Sequence, residues 1–171
     1  MALIVEDGTG LATAESYISV ADASTYHTAR GNAAWAALAS DTVREQCLRR
    51  ATGYMVQAFR FRWDGSRRVS TQALDWPRLY VPIKDFGFIL NYYDPDSVPT
   101  DVKNACAELA LKAATADLLA DTTQQILSET IGPIKTDYDK FSPQNTRYAA
   151  VEALLKPYFS GSSNSIKTVR S

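Results

Sequence analysis

The stretch from Asp101 to Ala120 constrains this chain more than any other. Val102, Ala105, Cys106, Leu109, Ala113, Ala116 and Leu119 recur at helical spacing and form one apolar stripe. The small alanines on that stripe let a neighbouring helix come close. A helix built this way needs partners to cover it, so the rest of the chain must supply further helices. Val98-Pro99-Thr100-Asp101 marks the helix start, with Thr100 as the expected N-cap and Val98 packing back on the first turn.

Those partners are legible. Ser19-Val20-Ala21-Asp22 has the form of a capping box with Asp in place of Glu, and predicts a helix from Val20 to Arg30 closed by Gly31. Asn32 to Leu38, with Trp35, predicts a short helical turn. Ser40 or Asp41 caps a longer helix reaching about Ala58, whose buried stripe is Val43, Cys47, Ala51, Tyr54, Met55 and Ala58. Its opposite face holds Arg44, Glu45, Arg49 and Arg50. Gly53 interrupts this helix at a cost of up to about 1 kcal/mol relative to Ala, and close packing of another helix there would account for it. A last helix starts at Asn145 or Thr146, buries Ala149, Val151, Leu154 and Leu155, and ends at Pro157.

Other segments break the helical pattern. Ala2 to Thr13 carries glycines without a helical period and reads as an extended arm or edge strand. From Phe59 to Pro99, prolines at 77, 82, 95 and 99 rule out a long element. Trp63, Trp76, Tyr80, Phe86, Phe88, Ile89, Tyr92 and Tyr93 supply that region with a core of its own. From Gln124 to Tyr138 the content becomes strand-like. Ile126, Ser128 and Thr130 alternate up to Ile131, Gly132-Pro133 turns the chain, and Ile134, Thr136 and Tyr138 continue beyond it. This predicts a β-hairpin, and a lone hairpin is only marginally stable in water, so it calls for a partner. Gly161 to Ser171 is Ser-rich and reads as a flexible tail. The expected fold is mainly α: a small helical bundle with a β-hairpin and extended terminal segments. It divides into an arm at 1–18, a helical domain at 19–158 with the hairpin at 126–138, and a tail at 159–171.

Chemistry is sparse. Hydrophobic residues make up 46% of the 171, enough for a real core, and the net charge of −1 excludes a protein held to nucleic acid by bulk charge. Cys47 and Cys106 sit among Ala and Leu as small core residues, which suits a reducing compartment. The single histidine, His27, has no sequence-adjacent nucleophile or acid with which to act as a base. One His and two isolated Cys cannot make a zinc site, and neither Asp94-Pro95-Asp96 nor Asp137-Tyr138-Asp139 follows a calcium loop. The chain shows no signal peptide and no apolar run of membrane-spanning length. These features predict no enzyme activity, no cofactor, no metal and no membrane association.

The most distinctive local feature is the run from Arg60 to Arg68, in which Arg60, Arg62, Arg67 and Arg68 accompany Phe61 and Trp63. Arginines interleaved with aromatics can grip phosphates and stack bases. Phe59, Phe61 and Trp63 also alternate as if one face were buried, leaving the arginines in water or paired with carboxylates of a neighbouring subunit. The near-neutral net charge favours this second reading.

One resemblance gathers these pieces. Glu15 to Ala23, then Tyr26, Arg30-Gly31-Asn32, Trp35, Arg50-Ala51-Thr52, the Arg60–Trp63 run, Gln72-Ala73-Leu74, Trp76-Pro77-Arg78, Val98-Pro99, Glu108-Leu109-Ala110 and Ile131-Gly132-Pro133-Ile134 follow one another as in a family of small phage and prophage proteins. The match runs from about Glu15 to Tyr158. Members are often labelled DnaT-like single-stranded DNA-binding proteins. The pattern is also similar to head–tail connector (adaptor, head-completion) proteins of tailed phages. The connector resemblance implies a ring, typically of twelve subunits, docked under the portal protein and above a tail or stopper protein. Genomic DNA would pass through its lumen without sequence-specific binding. The chain would then reside in the virion neck, and in the host cytoplasm during assembly. Hairpin, arm and tail suit contacts between subunits, so Ile126, Ser128, Thr130, Ile131, Ile134, Thr136 and Tyr138 are the expected intersubunit residues. The DnaT-like label implies instead a replication accessory protein that holds single strands through Arg60, Arg62, Trp63, Arg67 and Arg68.

Overall fold

A computed structural model describes residues 2–85, 91–121 and 146–161, together with the backbone of 128–131 and 134–137. In chain order the elements are α1 (Val20–Ala29), α2 (Ala33–Ala36), α3 (Asp41–Phe59), β1 (Ser66–Arg67), β2 (Arg78–Leu79), α4 (Thr100–Ala113), β3 (Ser128–Ile131), β4 (Ile134–Asp137) and α5 (Ala149–Leu155), the last running into a 3₁₀ turn at Lys156–Tyr158. The protein is mainly helical with a small antiparallel hairpin, as expected.

The alanine stripe sits at the centre. α4 buries Val102, Ala105, Cys106, Ala107, Leu109, Ala110 and Ala113 against α1, α3 and α5. α3 answers with Leu48, Ala51, Met55 and Phe59. Each large apolar side chain so buried contributes about 1.5–3 kcal/mol. The Ser19 and Ser40 caps form as read. Ser19 Oγ accepts the Asp22 N–H at 3.0 Å and donates to the Asp22 carboxylate at 2.7 Å. Ser40 Oγ accepts from the Val43 N–H.

Beyond α5, which begins at Ala149 rather than at Asn145 or Thr146 and leaves Ala149 exposed, three helix details differ from expectation. First, α4 stops at Ala113 rather than near Ala120, and Leu119 is 48% exposed. Arg50 of α3 takes the carbonyls of Ala113 and Ala116, so a side chain satisfies the helix end that another turn would have covered. Second, Thr100 is the first helical residue. Pro99 holds the cap position, and no side chain caps that end. Third, nothing lies within 4 Å of where a Gly53 Cβ would be, so no helix packs closely there and the glycine's cost stands uncompensated.

The N-terminal segment is irregular, as expected of an arm, but it folds onto the domain. Val5 bridges to Ser16, Leu11 accepts the Ala73 N–H, and Arg68 reaches the Gly8 carbonyl at 2.7 Å. Its anchor is Glu6, a buried carboxylate that accepts backbone N–H groups from Gly8, Gly10 and Leu11. Three charge-assisted bonds explain why the segment stays. At the other end, Phe159 is buried with its ring 5.0 Å from that of Trp63, so the domain extends past 158 and takes in the first residue assigned to the tail. Residues 162–171 lie outside the described residues.

The hairpin has the expected place and sense, with Ile131 opposite Ile134 and Ser128 opposite Asp137. Ile126 and Tyr138, and the Gly132-Pro133 turn, lie outside the described residues. Among the described strands, β3 and β4 pair only with each other.

His27 is a structural residue. Its ring is buried against Trp35, with Nε2 3.1 Å from the Ala107 carbonyl and Nδ1 3.0 Å from the Asn32 amide. These partners fit a neutral ring that donates to Ala107 and accepts from Asn32. Burial, the largest influence, holds its pKa below the ordinary value. The Ala107 carbonyl and Glu108 oppose this, and Arg30 adds to it. The unfolded chain therefore binds the proton first, and stability is complete above about pH 6.5 and falls below it. Urea denaturation at pH 7.5 and 5.5 should show the natural protein losing up to about 1.4 kcal/mol more per pH unit than His27→Gln. Equal pH dependence of the two proteins would refute this account.

Candidate nucleic-acid interface

The Arg60–Arg68 run begins where α3 ends. Phe59 is the last helical residue, and the chain turns through Arg60 to Arg62 before Trp63 re-enters the core. Trp63 is 5% exposed, edge-on to Trp76, and its Nε1 donates to Asp75 Oδ2 at 3.3 Å. It is not available to stack on a base, which corrects its place among the candidate contacts.

The arginines are largely engaged within the chain. Arg60 Nε donates to Asp75 Oδ1 at 3.0 Å, and that carboxylate is 1% exposed. Arg67 reaches the Gln72 carbonyl, while Arg68 pairs with Asp96 at 2.6 Å as well as with Gly8. Arg62 pairs with Glu152 at 3.1 Å and lies over the Phe159 ring at 4.3 Å.

Asp75 is the hub of this region. Its backbone N–H donates to the Tyr17 hydroxyl at 3.0 Å, and its carbonyl accepts from Arg78. Arg78 is itself buried and satisfied by the carbonyls of Asp64, Gly65 and Asp75. Gln72 ties the same loop together, its amide donating to the carbonyls of Leu74 and Pro77. Tyr17, Arg60, Trp63 and Arg78 thus meet at Asp75 in one internal polar network, and Gln72 braces the loop beside it.

What the run leaves outside is Phe61, 95% exposed between Arg60 and Arg62. Sequence alternation places it on the buried face with Phe59 and Trp63. The usable signal is helical instead, since Phe59 and Trp63 are four apart and share a side while Phe61 points away. Tyr80 and Tyr92, expected in the local core, are also exposed and form an aromatic pair with ring centres 6.1 Å apart. Phe86, Phe88 and Ile89 lie outside the described residues.

Both cysteines are buried, and burial raises both thiols above their ordinary range. Among the described residues, no group of His, Cys, Asp or Glu is placed to hold a metal, and no helix is long and apolar enough to cross a membrane.

The whole chain, residues 1–171, matches the model of a family described as "Putative DnaT-like ssDNA binding protein". The chain belongs to this family. No curated protein and no solved structure matches it. Within this DnaT-like protein, the patch expected to grip DNA is divided by burial of its aromatics and by the partners of its arginines. Trp63 is buried and Phe61 faces solvent, while the arginines are partly exposed but bond within the chain, Arg60 to Asp75, Arg62 to Glu152, Arg67 to the Gln72 carbonyl and Arg68 to Asp96.

Proposed function

We propose that this DnaT-like protein binds single-stranded DNA and catalyses no reaction. The whole-chain family match carries this reading. The exposed Phe61, flanked by Arg60 and Arg62, supplies the matching chemistry: an aromatic face for a base with cations on either side. Fluorescence anisotropy with a labelled oligonucleotide should give salt-sensitive, micromolar-or-tighter binding at low salt. Phe61→Ala should weaken it by about 1–3 kcal/mol with the fold intact, since the side chain packs in no core. An absence of binding at low salt would overturn the reading.

A second reading is a head–tail connector subunit, in a ring between portal and tail in the virion neck. Its support is the motif order, a hairpin with no third strand among the described residues, and the internal engagement of most of the Arg60–Arg68 run. A wall around passing DNA must not hold it tightly, which suits a net charge of −1. Strand addition at β3–β4 would then join subunits. Electron microscopy of phage necks decides it, by showing or failing to show this chain as a ring beneath the portal.

A further inference from the structure

We infer that the cavity between the end of α3 and α5 is a phosphodiester site, and that Arg62, Arg147 and Lys156 hold a backbone phosphate of single-stranded DNA there while Phe61 takes a neighbouring base. The inference rests on the single-strand-binding reading and gives it a location.

The cavity has a volume of about 330 Å³ and is lined by Arg62, Arg147, Glu152, Lys156, Phe159 and Ser160, with Ala153. Three cations face one carboxylate there, a local excess of positive charge on a chain whose net charge is −1. The cations are not equally committed. Arg147 approaches Glu152 only at 3.8 Å, too far for a hydrogen bond, and its side chain is 69% exposed. Arg62 does bond Glu152, but both side chains are partly exposed, and ion pairs of that kind are worth little and exchange readily. Contrast Arg60, whose partner Asp75 is buried and would be left without its charge partner.

Geometry also prepares Arg62. Its guanidinium lies over the ring of Phe159 at 4.3 Å and near that of Phe59 at 5.3 Å, which fixes its plane while leaving donors for an anion. The Ser160 hydroxyl donates to the Arg62 carbonyl, tying the C-terminal side of the cavity to the α3 side. Phe61 directly precedes Arg62 in the chain, so a base-stacking face and a phosphate-binding group sit on adjacent residues. Neither Arg147 nor Lys156 belongs to the Arg60–Arg68 run. The fold brings them to it from about 90 residues away.

The test uses the full chain and a labelled oligothymidylate, with anisotropy measured across a salt series. The double variant Arg147→Ala/Lys156→Ala should bind about tenfold more weakly. Its salt dependence should be shallower by about 0.7 in log–log slope for each phosphate that it no longer neutralises. Glu152→Gln, which removes the competing carboxylate, should bind more tightly, an effect no structural role predicts. Arg30→Ala, removing a cation outside the cavity, should leave binding near the natural level. If the natural protein binds and both cavity variants bind equally well, the site is elsewhere and the single-strand reading survives without it. A double variant no weaker than Arg30→Ala would show bulk charge alone and overturn the site. No binding by the natural protein overturns both. Should the corner serve a protein partner instead, Phe61→Ala and the double variant would leave DNA binding untouched, which also overturns the inference.

Discussion

Trp63→Ala should destabilise the protein by about 3–5 kcal/mol in urea denaturation. The indole is almost fully buried and meets the rings of Phe59, Trp76 and Phe159 at 6.2, 5.8 and 5.0 Å. Removing it leaves a cavity in that cluster and takes away the N–H donated to Asp75. Against a typical total of about 5–15 kcal/mol, that is a large fraction. Trp63→Phe separates packing from DNA contact, because it keeps most of the ring volume. It should bind single strands as the natural protein does. A loss below about 1 kcal/mol for Trp63→Ala, or a well-folded Trp63→Phe with impaired DNA binding, would return Trp63 to the surface role that the Arg60–Arg68 pattern suggested.

Gly65→Ala should cost about 2–4 kcal/mol, from two effects that add. Gly65 has φ +65°, where a side chain costs roughly 1–2 kcal/mol. Its new Cβ would also stand 2.1 Å from the Leu79 carbonyl oxygen, a backbone atom that moves only if β1 and β2 shift apart. That shift disturbs the seat of Arg78, whose guanidinium needs the Gly65 carbonyl at 2.7 Å. Gly31→Ala is the control. Gly31 has φ +68° with open space around it, so only the conformational cost applies. For a chain of this size each kcal/mol lowers the melting temperature by roughly 2–4 °C. Gly65→Ala should therefore melt several degrees below Gly31→Ala, and equal melting points would mean that β2 yields freely.

The helices are readable because their signals are local. The Ser19 and Ser40 caps, the Gly31 stop and the alanine stripe of α4 each lie within a few residues of what they specify. The end of α4 is not readable, since it depends on Arg50, more than 60 residues away in the chain. The same holds for the N-terminal segment. Its glycines and missing period describe it correctly as irregular, but what keeps it on the domain is Glu6 turned back on its own amides and Arg68 reaching Gly8. In the candidate site, alternation picks out the Arg60–Arg68 run yet sorts it wrongly, because the chain leaves a helix there rather than entering a strand. Arg147 and Lys156 carry no sequence signal at all. Single cations flanking a short helix become a site only when α5 docks beside the end of α3.

The position of Phe159 bears on how the chain matures. Trp63 bridges to Phe159 through the backbone, Ser160 donates to the Arg62 carbonyl, and the Tyr158 hydroxyl reaches Asp101 at 3.0 Å. The aromatic cluster around Asp75 therefore stays open until nearly the whole domain has left the ribosome. A nascent chain stopped before residue 158 would expose Phe59, Trp63 and Trp76 together, the kind of apolar surface that chaperones hold and aggregates form on.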